Sequence, residues 1–280
     1  MQKRTIQSAA LAAVLLAAGG TASAAEWSDT SIGYRYGTAF HEPFNTQNIQ
    51  KDIFFLTHVS GYKYGTNFFN VDFLMSDSKD PSTVGGSGAQ EAYVVYRNTL
   101  DLGKITGKDY KWGIVRGWGG TFGFDWNTKN DVGYASKKRM FVAGPTVMFD
   151  VPGFLNVSLL ALNESNAPVG HPSRYTYQTH AMLTGAWGIP IGDLPLSFEG
   201  FMNIIAPKGN DEFNVPTKTE TNFDGQIMLD VGKLAGGAKG TFKVGLEYQY
   251  WKNKFGNDAS GAAGSGAIAK TPMLRVEYHF

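Results

Sequence analysis

The stretch Phe242–Trp251, FKVGLEYQYW, puts Phe242, Val244, Leu246, Tyr248 and Tyr250 on one face of an extended chain. Lys243, Glu247, Gln249 and Trp251 fall on the other. A period of two sustained over such a length is the pattern of a β-strand with two unlike faces. It recurs in NFDGQIMLDV, LSFEGFMNII and the closing TPMLRVEYHF, where Leu274, Val276, Tyr278 and Phe280 alternate with Arg275, Glu277 and His279. Two folds accept such strands: a sandwich covering a soluble core, or a closed barrel with lipid outside and water inside.

About twelve such segments are legible, at 27–36, 50–60, 66–76, 90–100, 113–125, 138–150, 154–164, 175–188, 196–206, 220–231, 241–252 and 271–280. Each approaches or reaches the ~9–11 residues of a tilted transmembrane strand. The odd-numbered connections are generally long and polar, among them GTAFHEPFNTQNI, DSKDPSTVGGSGA, PKGNDEFNVPTKT and KNKFGNDASGAAGSGAIAK. Those between, such as GYKYG, VPG and IPIGDLP, tend to be shorter, with DLGKITGKDYKW the exception. A soluble sandwich has no reason to sort its loops by parity, whereas an outer-membrane barrel does. The expected fold is therefore all-β: a closed antiparallel transmembrane barrel of about twelve strands.

The N-terminus agrees. Lys3 and Arg4 precede a short apolar run, Ala9–Gly20, and Ala22-Ser23-Ala24 fits a small-residue cleavage site. Residues 1–24 read as a signal peptide and 25–280 as the barrel. The run is shorter than the ~20 residues of a spanning helix. The chain has 25 basic and 24 acidic residues, and the leader removes only Lys3 and Arg4. The near-neutral remainder lacks the basic stripe of a nucleic-acid binder. The absence of cysteine excludes disulfides and thiol chemistry.

The face opposite the apolar one should line the lumen. Its candidate solute-binding residues are Phe54, Phe68, Asp72, Tyr93, Arg97, Glu199, Phe201, Asp224, Lys243, Glu247 and Arg275, with Asp52, His58, Asn70, Glu91, Asn203, Gln226, Asp230, Gln249, Trp251 and Glu277 beside them. Acids outnumber bases here, which favours neutral or weakly cationic solutes. Aromatic rings among carboxylates and amides suit a flat heteroaromatic ring bearing hydroxyls. Inward aromatics also plug narrow barrels, and inward acid–base pairs also brace their walls. The segment GIVRGWGGTFGFDW breaks the pattern, because Arg116 shares a face with Ile114, Trp118, Phe122 and Phe124. Either Arg116 snorkels to head groups or a bulge changes the parity.

The segments GYRYGTAFHEPFN, GTNFFNVDFLMSDSKD, GAQEAYVVYRNTLDLGK, PLSFEGFMNIIAPKG, FKVGLEYQYWKNKFG and LRVEYHF resemble the nucleoside-specific channel-forming outer-membrane family (Tsx-like), including members labelled outer envelope proteins. The likeness spans nearly the whole chain after the leader. It implies a monomeric twelve-stranded channel in the bacterial outer membrane, passing nucleosides by diffusion without a cofactor. A last strand ending in Phe280 likewise resembles the signal by which the barrel assembly machinery recognises its clients.

Two rival readings remain. A barrel enzyme of lipase or protease type would need a serine, a histidine and an orienting carboxylate together. His58 and His180 are the histidines on strands, and no G-x-S-x-G accompanies them. A closed structural or receptor barrel would have a plugged lumen. The loop sequences SDSKDPS and KGNDEF could hold a calcium ion, but solvated loop charge is the preferred reading of both.

Overall fold

The computed structural model describes residues 25–81, 88–131, 133–171 and 173–280. The expected signal segment, 1–24, lies outside them. Strands β1 (Trp27–Glu42), β2 (Asn45–Tyr62), β3 (Gly65–Ser76), β4 (Gln90–Asp101), β5 (Val115–Asn130), β6 (Arg139–Phe149) and β7 (Phe154–Asn166) follow in order. A two-residue strand, β8 (Tyr175–Thr176), precedes β9 (His180–Pro190), β10 (Leu196–Ile205), β11 (Glu220–Asp230), β12 (Phe242–Lys252) and β13 (Ile268–His279). Every neighbouring pair is antiparallel, and β1 meets β13 from Ser31↔His279 to Gly37↔Met273. That last pairing closes a twelve-strand barrel, with β8 added against β7 as a short forward extension of β9. With strands ~4.8 Å apart and tilted ~40°, twelve strands enclose a cylinder about 24 Å across between backbones.

The outer wall is apolar. Ile32, Phe73, Phe122, Phe141, Leu159, Leu183, Ile227, Leu246, Leu274 and Phe280 are all exposed on it. Such an apolar surface running round the wall of a monomer is a lipid-facing surface. Among the described residues no helix is long and apolar enough to cross a membrane; the strands do so. A closed wall of this kind is the form in which β-structure spans an outer membrane, since it leaves no unpaired edge in hydrocarbon.

The two ends differ. Connections 77–89, 131–138, 167–179, 206–219 and 253–267 crowd one end, here the loop end. At the other, the turn end, β2 passes to β3 through Lys63-Tyr64, and short links join β6–β7 and β9–β10. The longer DLGKITGKDYKW link holds a helical turn, α1 (Leu102–Thr106). Its N-cap, Asp101, accepts from the backbone N–H of Gly103 at 2.9 Å and of Lys104 at 3.2 Å. Val231–Leu234 forms a second such turn, α2, capped by Asp230.

One expectation about the loops is overturned. GTAFHEPFNTQNI is strand: pairing continues through Phe40↔Ile49 to Glu42↔Asn45, and only Pro43-Phe44 turns. The reason is interior packing. Phe40, Ile49, Ile53 and Met273 form a buried cluster inside the wall with Leu74 packed against it, which rewards extension of both strands.

Candidate functional site: the barrel interior

Directly opposed residues in an antiparallel ladder share a face, so register assigns every side chain to lumen or lipid. Phe68, Asp72, Tyr93, Arg97, Glu199, Phe201, Asp224, Lys243, Glu247 and Arg275 fall on the lumen face. Phe54 does not. It opposes Tyr34 and Phe73 on the lipid face, half exposed, with its ring 5.1 Å from that of Tyr34. Asp52 and His58 share that outward face, where Asp52 accepts from Tyr34 Oη and His58 Nδ1 bonds Thr30 Oγ1 at 2.8 Å. The inner face of β2 is instead Ile49, Lys51, Ile53, Phe55 and Thr57. Apolar residues stand on both sides of this strand, so alternation alone picks the wrong one. Lys51 decides it, since its carboxylate partners Glu42 and Asp80 lie inside.

The break at Arg116 resolves as a bulge between Val115 and Gly117. Its guanidinium reaches Asp101 at 3.6 Å and Met148 Sδ at 3.2 Å, while Trp118, Phe122 and Phe124 keep to the lipid face.

An ionic mesh covers the wall built by β11, β12, β13, β1, β2 and β3. Glu247, with a fully buried side chain, accepts from Arg35 Nη1 at 3.1 Å and Arg275 Nη1 at 2.7 Å. Arg35 also meets Asp72 at 2.5 Å, and Arg275 meets Glu277 at 2.6 Å. The Phe55 ring lies between the guanidiniums, with their carbons 5.2 and 4.4 Å from its centroid. Gly33 makes this possible, because a Cβ there would stand 2.2 Å from the Phe55 ring. Gln249 donates to Asp224 at 3.1 Å. On the opposing wall Arg97 pairs with Asp125, which also accepts from Tyr93 Oη at 3.0 Å.

Two further knots pack the loop end. In one, Glu42 gathers Lys51 (2.8 Å), Lys254 (3.2 Å) and Lys129 (3.8 Å), while Asp80 takes Lys129 at 2.8 Å and Ser76 Oγ at 2.7 Å. In the other, Glu164 takes Lys138 at 2.9 Å and Lys208 at 2.7 Å, and Glu220 accepts from the Trp251 indole at 2.6 Å. Tyr177 Oη donates to Glu212 at 2.5 Å and Tyr134 Oη donates to the same carboxylate. Burial depresses Lys208 and Lys254 below the ordinary lysine value, and burial beside Glu212 raises both tyrosines. Below the knots, Met140, Val142, Leu160, Leu162, Met182 and Ile205 form an apolar cluster on the inner face of β6, β7, β9 and β10.

Most lumen-face side chains are buried at both ends, Thr146, Ser158, Met228 and Glu277 toward the turn end among them, whereas Phe68 (38% exposed) and Phe201 (37%) point inward and remain exposed. They stand on β3 and β10, six strands apart whichever way the barrel is followed, so they face each other across the lumen. Arg97 lies directly opposite Phe68 on β4, with Glu199 two residues from Phe201 on its own strand. Glu199 accepts from Lys243 at 3.2 Å and Ser197 at 2.5 Å.

His58 and His180 cannot serve one site. His58 faces lipid, and His180 faces the lumen with Nδ1 on the Gln178 carbonyl at 2.8 Å. The loop acids serve the chain itself: Asp77 and Asp211 cap turns, Asp80 holds Ser76 and Lys129, and Glu212 holds Tyr134 and Tyr177. The lysine–carboxylate knots were not legible in the sequence. Lys138, Lys208 and Lys254 come from connections, where parity assigns no face.

No protein-family model matches the chain, and no curated protein matches it. Among solved structures it is similar to the KdgM porin, at 10% identity and a TM-score of 0.43, covering 89% of this chain and 99% of that one. It is also similar to an outer membrane channel from Pseudomonas putida F1, at 11% identity, TM-score 0.48 and coverage of 93% and 99%. The translocator domain of the autotransporter NalP from Neisseria meningitidis gives 14% identity, TM-score 0.38 and coverage of 99% and 98%. At such values nothing about a solute follows.

Proposed function

We propose that this protein is a channel of the bacterial outer membrane, admitting small solutes by passive diffusion, with nucleosides as the solute class. Following the rule for outer-membrane barrels, the loop end faces outward and the turn end faces the periplasm. The observation that carries the reading is the pair of exposed inward rings, Phe68 and Phe201, facing each other across the lumen. An aromatic base finds stacking faces there, and Arg97, Glu199 and Lys243 offer donors and acceptors for a sugar. The resemblance noted in the sequence supports the same solute class. The polypeptide acts as a monomer, and the strand ending at Phe280 is its address for assembly.

The packed loop end favours a second reading, a barrel closed to solutes. Planar-bilayer recording of the refolded protein separates them. A channel gives small unitary currents that adenosine and thymidine reduce more than glucose at equal concentration. Unchanged current with both nucleosides refutes the solute class, and no current at all refutes the channel.

A further inference from the structure

The outer face near the loop end gathers three basic side chains. Arg139 opens β6 on the lipid face, opposite Trp126 of β5 and Ser165 of β7. Arg174, from the connection 167–179, donates from Nη1 to the Lys137 carbonyl at 3.0 Å and to Ser165 Oγ at 3.2 Å. Arg139 and Arg174 thus flank Ser165, one by register and one by hydrogen bond, with the exposed Lys137 beside them. Among the described residues none of the three has a carboxylate partner within ion-pair reach. Lys79, Lys104, Lys111 and Lys218 do have one (Asp77, Glu26, Asp150 and Asp258), while exposed lysines without one, such as Lys63 and Lys270, stand elsewhere on the surface, so it is the clustering of three cations that sets this patch apart. Burial and the neighbouring charge of Arg139 hold Arg174 below its ordinary value, so the like charges feel each other.

The surroundings say what neutralises them. Trp126 and Phe141 are exposed on the same face, and the Trp126 ring lies 5.0 Å from that of Phe124. An aromatic girdle with cations just beyond it marks the boundary between acyl chains and head groups. Forked guanidinium donors match a phosphate more closely than any other head-group function.

We infer that Arg139, Arg174 and Lys137 form a binding site for the phosphate of an outer-leaflet lipid headgroup, an inference resting on the orientation proposed above. Arg139 and Arg174 grip the phosphate oxygens, Lys137 adds a third charge, and the acyl chains lie along Trp126 and Phe141.

The test is native mass spectrometry of the full barrel released from neutral detergent micelles. The micelles are doped with bisphosphorylated lipid A, with the same lipid stripped of phosphate, or with inorganic phosphate alone. The barrel is expected to retain the phosphorylated lipid selectively. Arg174→Gln should weaken retention about tenfold, the size of one charge-assisted hydrogen bond, and Arg139→Gln with Arg174→Gln more than that. Arg174 lies in a connection, so the single variant keeps the test valid should the double variant fail to fold. Lys111→Ala, at the turn end, should change nothing. Equal retention of the stripped lipid, full displacement by millimolar inorganic phosphate, or undiminished retention by Arg174→Gln would each overturn the site. A barrel that retains the lipid yet carries no current leaves the site standing while refuting the channel.

Discussion

Glu247→Gln is the sharpest probe of the interior, because the carboxylate is the point at which two buried arginines are joined. The variant keeps one carbonyl acceptor and turns an amide N–H₂ toward the second guanidinium. Removing one partner from a buried ion pair costs about 3–5 kcal/mol. Here Arg35 keeps Asp72 at 2.5 Å and Arg275 keeps Glu277 at 2.6 Å, which places the loss at the lower end of that range. With a urea slope of about 2 kcal/mol per molar, a loss of about 3 kcal/mol moves the unfolding midpoint down by about 1.5 M. Barrels refolded into vesicles and scored for heat-modifiable gel mobility would register that directly. A midpoint within experimental scatter of wild type would refute the reasoning: water in the lumen would then screen the mesh as it screens a surface pair.

Three further measurements address the lumen, its cap and its wall. Phe68→Ala with Phe201→Ala should raise unitary conductance by widening the lumen, and should weaken nucleoside block about tenfold or more, the size of one or two lost stacking contacts. Block unaltered at higher conductance would remove the rings from recognition. Tyr134 and Tyr177 are raised above 10.0 by burial beside Glu212, so the packed loops keep protons that released loops give up. Packing therefore weakens as pH rises above that value, and current should grow between pH 10.5 and 11.5. Lys208 and Lys254, lowered by burial, act in the opposite direction below their ordinary value of 10.5, whereas Lys138, raised by Glu164 against its burial, weakens the packing in the same direction as the tyrosines above it. The Tyr134→Phe/Tyr177→Phe double variant should reduce the rise, leaving the share that the Lys138–Glu164 pair contributes; a rise of unchanged size would remove the tyrosines from it. Finally, Leu246→Arg, at an exposed mid-strand position on the lipid face, should destabilise the barrel by about 2–4 kcal/mol; an unshifted midpoint would argue that this wall does not meet hydrocarbon.

Alternation read the wall correctly wherever one face was apolar and the other charged. Lys243, Glu247 and Gln249 on β12, or Glu199 and Phe201 on β10, needed nothing beyond period two. It failed at Phe54, where Ile53, Phe54, Phe55 and Leu56 offer apolar groups to both sides and only the remote partners of Lys51 decide. It failed again at 37–49, where polar composition imitated a loop although Phe40 and Ile49 extend the strands inward. The knots at the loop end were invisible because three of their five lysines, Lys138, Lys208 and Lys254, come from different connections and meet their partners only once the cylinder closes. Short-range periodicity reports which way a residue points. It does not report which distant residue it meets.

That distinction changes the electrostatic expectation. A surplus of inward acids predicted a lumen unfriendly to anions, yet Glu247, Asp72 and Glu277 are each bound to a guanidinium, and Asp125 is bound to Arg97. A neutralised carboxylate contributes a local dipole, whose field fades within a few ångströms, where a bare charge would act across the whole bore. The field felt by a passing solute is then set by groups still open to water, chiefly Glu199 with Lys243 and the rings of Phe68 and Phe201. Such a lining discriminates by shape and stacking more than by charge. It follows that ion selectivity should be weak even where discrimination among neutral solutes is strong, and that counting acidic residues on a lumen face is a poor guide to what the lumen prefers.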